Sequence, residues 1–158
     1  MGDDPITMTG GCLCGAVRYE AVGEPLDIGY CHCQNCRRHT GAPVVAYVGF
    51  NLDQVHFKGR ERSIYNSSPG VGRAFCNQCG TPLTWEGEMR SSGNSIVEFH
   101  VGTLDDPDSF VPKDHSRFEE RIDWFDVADN LPRYRGAIKK DEEPYCHGPV
   151  THDGTRTK

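Results

Sequence analysis

The stretch Cys31-His32-Cys33-Gln34-Asn35-Cys36-Arg37-Arg38 places three thiols within six residues and follows them with two cations. Thiols this close invite a metal ion. Zinc favours thiolate and imidazole ligands in tetrahedral geometry, and short spacings let one turn of backbone aim two sulfurs at the same ion. Cys31, Cys33 and Cys36 supply three ligands, one short of a closed tetrahedron. His32, His39, His100 and His115 are the histidines that could close it. His32 is the poorest of these, because it sits between two ligating residues and its side chain should point away from them.

Four other cysteines sort themselves by their neighbours. Cys12-x-Cys14 precedes Gly15, and Cys76-x-x-Cys79 precedes Gly80. A glycine after the second thiolate lets the chain turn with positive φ and bring N–H groups toward the sulfurs, so both pairs read as zinc knuckles. Together they make one closed four-cysteine site with no position for a substrate, hence a structural one. It would tether the first strand to a segment far along the chain, a long loop for which structural zinc supplies about 10–16 kcal/mol in small zinc-folding peptides. By subtraction Cys31, Cys33 and Cys36 form a second site. Three protein ligands plus an open position is the arrangement of catalytic zinc, and a second structural zinc closed by a histidine is the alternative.

The chain of 158 residues suits a single domain, which at this size buries roughly 70% of its unfolded surface. A hydrophobic fraction of 36%, with 18 Gly and 10 Pro, favours short strands and many loops around a thin core that metal crosslinks would reinforce. The formal charge of −6 falls to about −9 when seven thiolates bind two Zn²⁺, which excludes the basic footprint of a nucleic-acid binder. Residues 1–10 carry no apolar run, so neither a signal peptide nor a membrane span is expected. A cytosolic protein follows, and there eight cysteines read as metal ligands rather than disulfides.

Strand signals recur along the chain. Residues 16–22, 54–58 and 95–101 alternate apolar and polar side chains, 62–65 follows after a glycine, and 44–50 is nearly all apolar and suits a central strand. Leu26 to Tyr30 leads as an extended piece into the cysteine cluster. No segment shows a helical period of helix length; at most a short helix covers Trp124 to Leu131. The class is mainly β. Residues 1–8 form a loose leader, and residues 137–158 a disordered polar tail in which Cys146 and His147 are solvated. Trp85 and Trp124 are expected in the core or at a pocket mouth. His115, four residues before Glu119, suggests an acid–base pair near the metal.

Gly11-Cys12-x-Cys14-Gly15, Cys31-His32-Cys33-x-x-Cys36-Arg37-Arg38 and Phe75-Cys76-x-x-Cys79-Gly80-Thr81-Pro82-Leu83 together resemble the glutathione-dependent formaldehyde-activating enzyme family, of which centromere protein V is a relative. The similarity continues through Gly102 to Pro107 and from Trp124 to Tyr134, covering about residues 9–136. The resemblance implies a single β-tent domain of short antiparallel sheets meeting around zinc. It also implies a structural zinc on Cys12, Cys14, Cys76 and Cys79 and a catalytic zinc on Cys31, Cys33 and Cys36. The implied activity is that of a carbon–sulfur lyase whose partner is a small thiol or thiol–aldehyde adduct, such as glutathione with formaldehyde. Arg37 and Arg38 are candidates to hold a glutathione carboxylate through paired N–H donors. A non-catalytic zinc module and a redox- or metal-sensing zinc protein are the other readings, and the oligomeric state is left open.

Overall fold

A computed structural model describes residues 5–89, 92–138 and 141–149. Its twelve strands are β1 (Thr7–Gly11), β2 (Val17–Val22), β3 (Asp27–Cys31), β4 (Val45–Asn51), β5 (Val55–Gly59), β6 (Ser63–Ser68), β7 (Val71–Phe75), β8 (Pro82–Glu88), β9 (Ser95–His100), β10 (His115–Ser116), β11 (Pro132–Arg133) and β12 (Cys146–His147). One α-helix, α1 (Gln34–Thr40), joins them, with short 3₁₀ turns between. The protein is mainly β. Two compact units divide the chain, one from residues 1–28 and 47–111, the other from residues 29–46 and 112–158.

The first unit holds two antiparallel arrays, β1-β2-β5 and β4-β9-β8-β7-β6. Alternation explains how they bury a core: on β2, Val17, Tyr19 and Ala21 are buried while Arg18, Glu20 and Val22 are not. The Tyr19 ring stacks on Phe99 of β9 with centroids 4.3 Å apart, and Phe57 of β5 and Phe50 of β4 pack against the same Phe99 ring. This aromatic group joins the two arrays. The Tyr19 hydroxyl donates to the Thr103 carbonyl at 3.0 Å and lies 2.6 Å from the Thr103 hydroxyl. Tyr19→Phe is therefore expected to cost about 1 kcal/mol, read as a melting temperature lower by about 2–4 °C.

Two expectations change here. β1 begins at Thr7, inside the stretch expected to be a loose leader, because pairing with β2 satisfies its backbone and Met8 is 1% exposed in the core. Trp85 is half-buried on β8, whereas Trp124, in the second unit, is 72% exposed and so belongs to no core.

The second unit is smaller and less regular. Its strands run in the order β12-β11-β10-β3, with β10 parallel to both β3 and β11 and β12 antiparallel to β11. Parallel neighbours occur only here, beside the antiparallel arrays of the first unit, among the described strands. They arise because these are two-residue pairings brought together by long loops rather than by hairpins. The short helix expected over Trp124 to Leu131 is not formed; that segment is turn and coil, bonded instead to Arg133. The unit's only α-helix in the described residues is α1, which begins inside the cysteine cluster.

Arg133 is the centre of this unit. It is fully buried, and its guanidinium bonds Asp126 at 3.0 Å, Asp129 at 3.2 Å and the carbonyls of Val127 and Leu131, with the Phe118 ring beneath it. Such a pair is strongly destabilised when one partner goes, because the other charge stays behind without compensation. Arg133→Met is expected to cost about 3–5 kcal/mol, measured by denaturant unfolding. The solvated-tail reading of Cys146 is corrected as well: Cys146 is 3% exposed and pairs with Arg133 across β11 and β12. Residues 150–158 of the expected tail lie outside the described residues.

Candidate metal centre

All eight cysteines are outside disulfides. In the first unit, Cys12 and Cys14 occupy the turn between β1 and β2, and Cys76 and Cys79 the turn between β7 and β8. Gly15 and Gly80 have φ of 75° and 76°, the left-handed conformation that the knuckle pattern requires. Gly15 N–H bonds the Cys12 carbonyl and Gly80 N–H the Cys76 carbonyl, closing both turns, while Val17 N–H donates to the Cys12 sulfur at 3.2 Å.

The four sulfurs lie within 4.8 Å of one another, Cys12 to Cys14 at 3.5 Å and Cys14 to Cys76 at 3.8 Å. Sulfurs placed about 2.3 Å from a tetrahedral zinc are separated by about 3.8 Å, so this group fits such an ion. The site's own donors favour thiolate at one corner: hydrogen bonds from the Thr81 hydroxyl and N–H lower Cys79 to about 5. At Cys14 the Ala16 N–H also favours thiolate, but desolvation and the sulfurs of Cys12, Cys79 and Cys76 outweigh it and push the group up to about 11. Four thiolates at this density need a cation among them.

The second group forms at the start of α1. Cys31 ends β3, Cys33 is the helix N-cap with its sulfur accepting from Cys36 N–H at 3.3 Å, and Cys36 lies one turn in. An N-cap acceptor satisfies one of the orphan donors of a helix start, which explains why so short a helix forms here. Gly41 closes it in the left-handed conformation, its N–H bonded to the Arg37 carbonyl. The three sulfurs lie within 4.8 Å of one another, Cys31 to Cys36 at 3.5 Å, and no histidine or carboxylate of the described residues joins them. Hydrogen bonds with Cys33 and Cys36 push the Cys31 thiol well above its usual value, so a cation would be needed to hold all three as thiolates. The spacing fits zinc as well as the first group does.

His32 points away from the sulfurs into a buried aromatic cluster. Its Nε2 is 2.8 Å from His115 Nδ1, its ring meets Phe118 edge-on, and His115 stacks between it and Tyr30. Burial, reinforced by His115, pushes His32 down to about 3, so the ring is neutral. Burial also lowers His115, against the opposing pull of Asp129 at 3.0 Å from its Nε2. His115 is therefore a buried strand residue partnered by Asp129, and the expected acid–base pair with Glu119 is not made: Glu119 accepts from the Gly136 N–H instead.

Arg37 and Arg38 part company. Arg37 donates to the carbonyls of His32 and Glu120 and so braces the cysteine loop, whereas Arg38 faces solvent. In the same unit an open recess of about 440 Å³ is lined by Phe118, Glu119, Arg121, Arg135 and Tyr145. No spacing rule singles out Asp126, Asp129 or Arg133, which act through contacts distant in sequence. No helix of the described residues is long and apolar enough to cross a membrane.

Known proteins of similar sequence share these cysteine-bearing segments. An uncharacterized lyase of Schizosaccharomyces pombe is 34% identical over 76 residues, 47% of this chain and 53% of that protein, so the chain spans about half the length of that relative. A putative glutathione-dependent formaldehyde-activating enzyme of Halomonas elongata is 29% identical over 130 residues, covering 76% of this chain and 80% of the relative. A crystal structure of a Rhodobacter sphaeroides protein aligns with a TM-score of 0.47 and 28% identity over 62% of this chain and 88% of its own. The sequence pattern described as glutathione-dependent formaldehyde-activating enzyme matches residues 7–120, which include all seven cysteines of the two sulfur groups, and the chain belongs to that family.

Proposed function

We propose that the chain is a zinc-dependent enzyme of the carbon–sulfur lyase type acting on a thiol–aldehyde adduct such as S-(hydroxymethyl)glutathione. The observation that carries this reading is the convergence of exactly three sulfurs, Cys31, Cys33 and Cys36, with no further ligand among the described residues. A zinc ion there would supply Lewis acidity and lower the pKa of a thiol at its fourth position. In the forming direction the sulfur of the thiol bonds to the aldehyde carbon, and the thiol proton ends on the former carbonyl oxygen. Cys12, Cys14, Cys76 and Cys79 hold a second, structural zinc, giving two per chain within a domain of residues 9–136.

The chain's own residues then hold and orient. Arg37, tied to the carbonyls of His32 and Glu120, keeps the thiolate loop fixed while the substrate binds. Arg38, exposed on α1, and Arg121 and Arg135 in the recess offer paired N–H donors to the two carboxylates of glutathione. A reducing cytosol, where glutathione is the main thiol, suits both the substrate and cysteines held outside disulfides.

Native mass spectrometry of the purified protein should find two zinc ions. NMR should then show formaldehyde and glutathione exchanging with the adduct faster than in buffer alone. In the cobalt-substituted protein, added glutathione should change the visible spectrum. An exchange rate equal to buffer refutes this substrate, and an unchanged spectrum refutes direct binding of its thiol to the metal.

A further inference from the structure

We propose that His115 and Asp129 are positioning residues for the three-sulfur group, acting through His32 along a hydrogen-bonded pair of imidazoles whose tautomers Asp129 sets. The inference rests on reading Cys31, Cys33 and Cys36 as a metal site. It concerns residues that touch neither metal nor substrate.

The direction of the hydrogen bonds follows from the far end. Asp129 Oδ1 accepts from Leu131 N–H at 3.0 Å and from Arg133 Nη1 at 3.2 Å, and His115 Nε2 lies 3.0 Å from Oδ2 and 3.2 Å from Oδ1. A carboxylate only accepts, so His115 carries its proton on Nε2. Burial, with the guanidinium of Arg133 beside the pair, disfavours a positive ring against the pull of Asp129 and Asp126, so His115 Nδ1 is a bare lone pair. His32 Nε2, 2.8 Å away, must then be the donor. That leaves His32 Nδ1 bare as well, and this buried nitrogen has no hydrogen-bond partner. A lone pair tolerates that position better than an N–H would.

The far side of the loop is thereby fixed. Cys31 ends a strand and Cys33 is extended, with φ of −61° and ψ of 146°, so side chains alternate and His32 projects opposite to its two neighbours. Its N–H bonds the Ser116 carbonyl and its own carbonyl accepts from Arg37. The ring contact with His115 is the third anchor, and the only one that reports the state of Asp129. Outer partners that orient the groups around a metal are typically worth 10–100-fold in its affinity.

Asp129→Asn makes the relay testable. Leu131 N–H and Arg133 hold an oxygen at the Oδ1 position, so the new NH₂ replaces Oδ2 and faces His115 Nε2. His115 Nε2–H then keeps only the longer contact to Oδ1 at 3.2 Å while its nearer partner becomes a donor, which shifts the ring toward the Nδ1–H tautomer, and His32 with it. Long-range ¹H–¹⁵N NMR of the labelled protein should show both rings as Nε2–H tautomers in the wild type and a joint shift of both toward Nδ1–H in the variant. An Nδ1–H ring in the wild type, or a His115 that shifts in the variant without His32, overturns the relay.

Positioning is read separately by challenging the zinc-loaded protein with a chromophoric chelator. His115→Asn keeps a carbonyl oxygen near the Nδ1 position and should release zinc within about threefold of wild type. His115→Leu should release one of two zinc ions about tenfold faster and leave the other unchanged. Equal release by the two variants would reduce His115 to packing, and wild-type release by His115→Leu would remove its positioning role. Should Asp129→Asn not fold, the wild-type tautomers and the His115 pair still decide. A protein that binds only one zinc would refute the metal reading of the cluster, while the tautomer pattern would still test the relay.

Discussion

Cys76→Ser is expected to abolish the cooperative thermal transition of the protein and to leave it with at most one bound zinc. Cys76 is fully buried between β7 and β8, and its sulfur lies 3.8 Å from Cys14, at the turn that starts β2. The four-sulfur group thus ties two turns separated by more than sixty residues, and with them the arrays β1-β2-β5 and β4-β9-β8-β7-β6. Structural zinc contributes about 10–16 kcal/mol in small zinc-folding peptides, whereas whole domains are stable by only about 5–15 kcal/mol. Losing a ligand removes enough of the first quantity to exhaust the second. Circular dichroism melting with native mass spectrometry checks this, and a melting temperature within a few degrees of wild type would show that the group has no structural role.

Cys36→Ser is expected to leave the fold intact and lower adduct formation by a factor on the order of 10²–10³, to the rate in buffer. Its effect is chemical because the second group ties only neighbouring residues, from the end of β3 to the first turn of α1. A hydroxyl is a poor zinc ligand compared with a thiolate, and metal assistance is worth several kcal/mol, with each 1.36 kcal/mol a factor of ten. The helix start keeps its cap, since Cys33 still accepts from the backbone N–H of residue 36. Unchanged exchange rates in the variant, with melting preserved, would move the chemistry away from this cluster. Simultaneous loss of melting would instead make the second group structural.

These two expectations differ because the two sulfur groups differ in reach, and that difference was partly legible in the sequence. Spacing alone separated Cys12, Cys14, Cys76 and Cys79 from Cys31, Cys33 and Cys36, since the geometry of a knuckle is set by two or three residues and a following glycine. Alternation located β2 and β5, because each has one more buried face and polar residues opposite, and it located β9 although Ile96 and His100 on one face and Val97 and Phe99 on the other are all buried. The same local signals failed where the determinants were distant. Met8 reads as leader until β2 lies beside it, and Cys146 reads as tail until β11 does. α1 is only seven residues long and carries one buried side chain, so it had no period to display.

Arg37 and Arg38 show the limit most plainly. They are adjacent and chemically alike, yet one braces the loop through two carbonyls and the other faces solvent, a distinction made by Glu120, more than eighty residues away. The chain by itself determined its class, its family and the grouping of its sulfurs, because those depend on spacing within a few residues. Only the tertiary structure decided that His32, His115, Asp129 and Arg133 form one hydrogen-bonded line behind the cysteine loop. Hydrogen bonds between residues from 32 to 133 require strands β3, β10 and β11 to lie side by side, and no local pattern encodes which distant strands will pair.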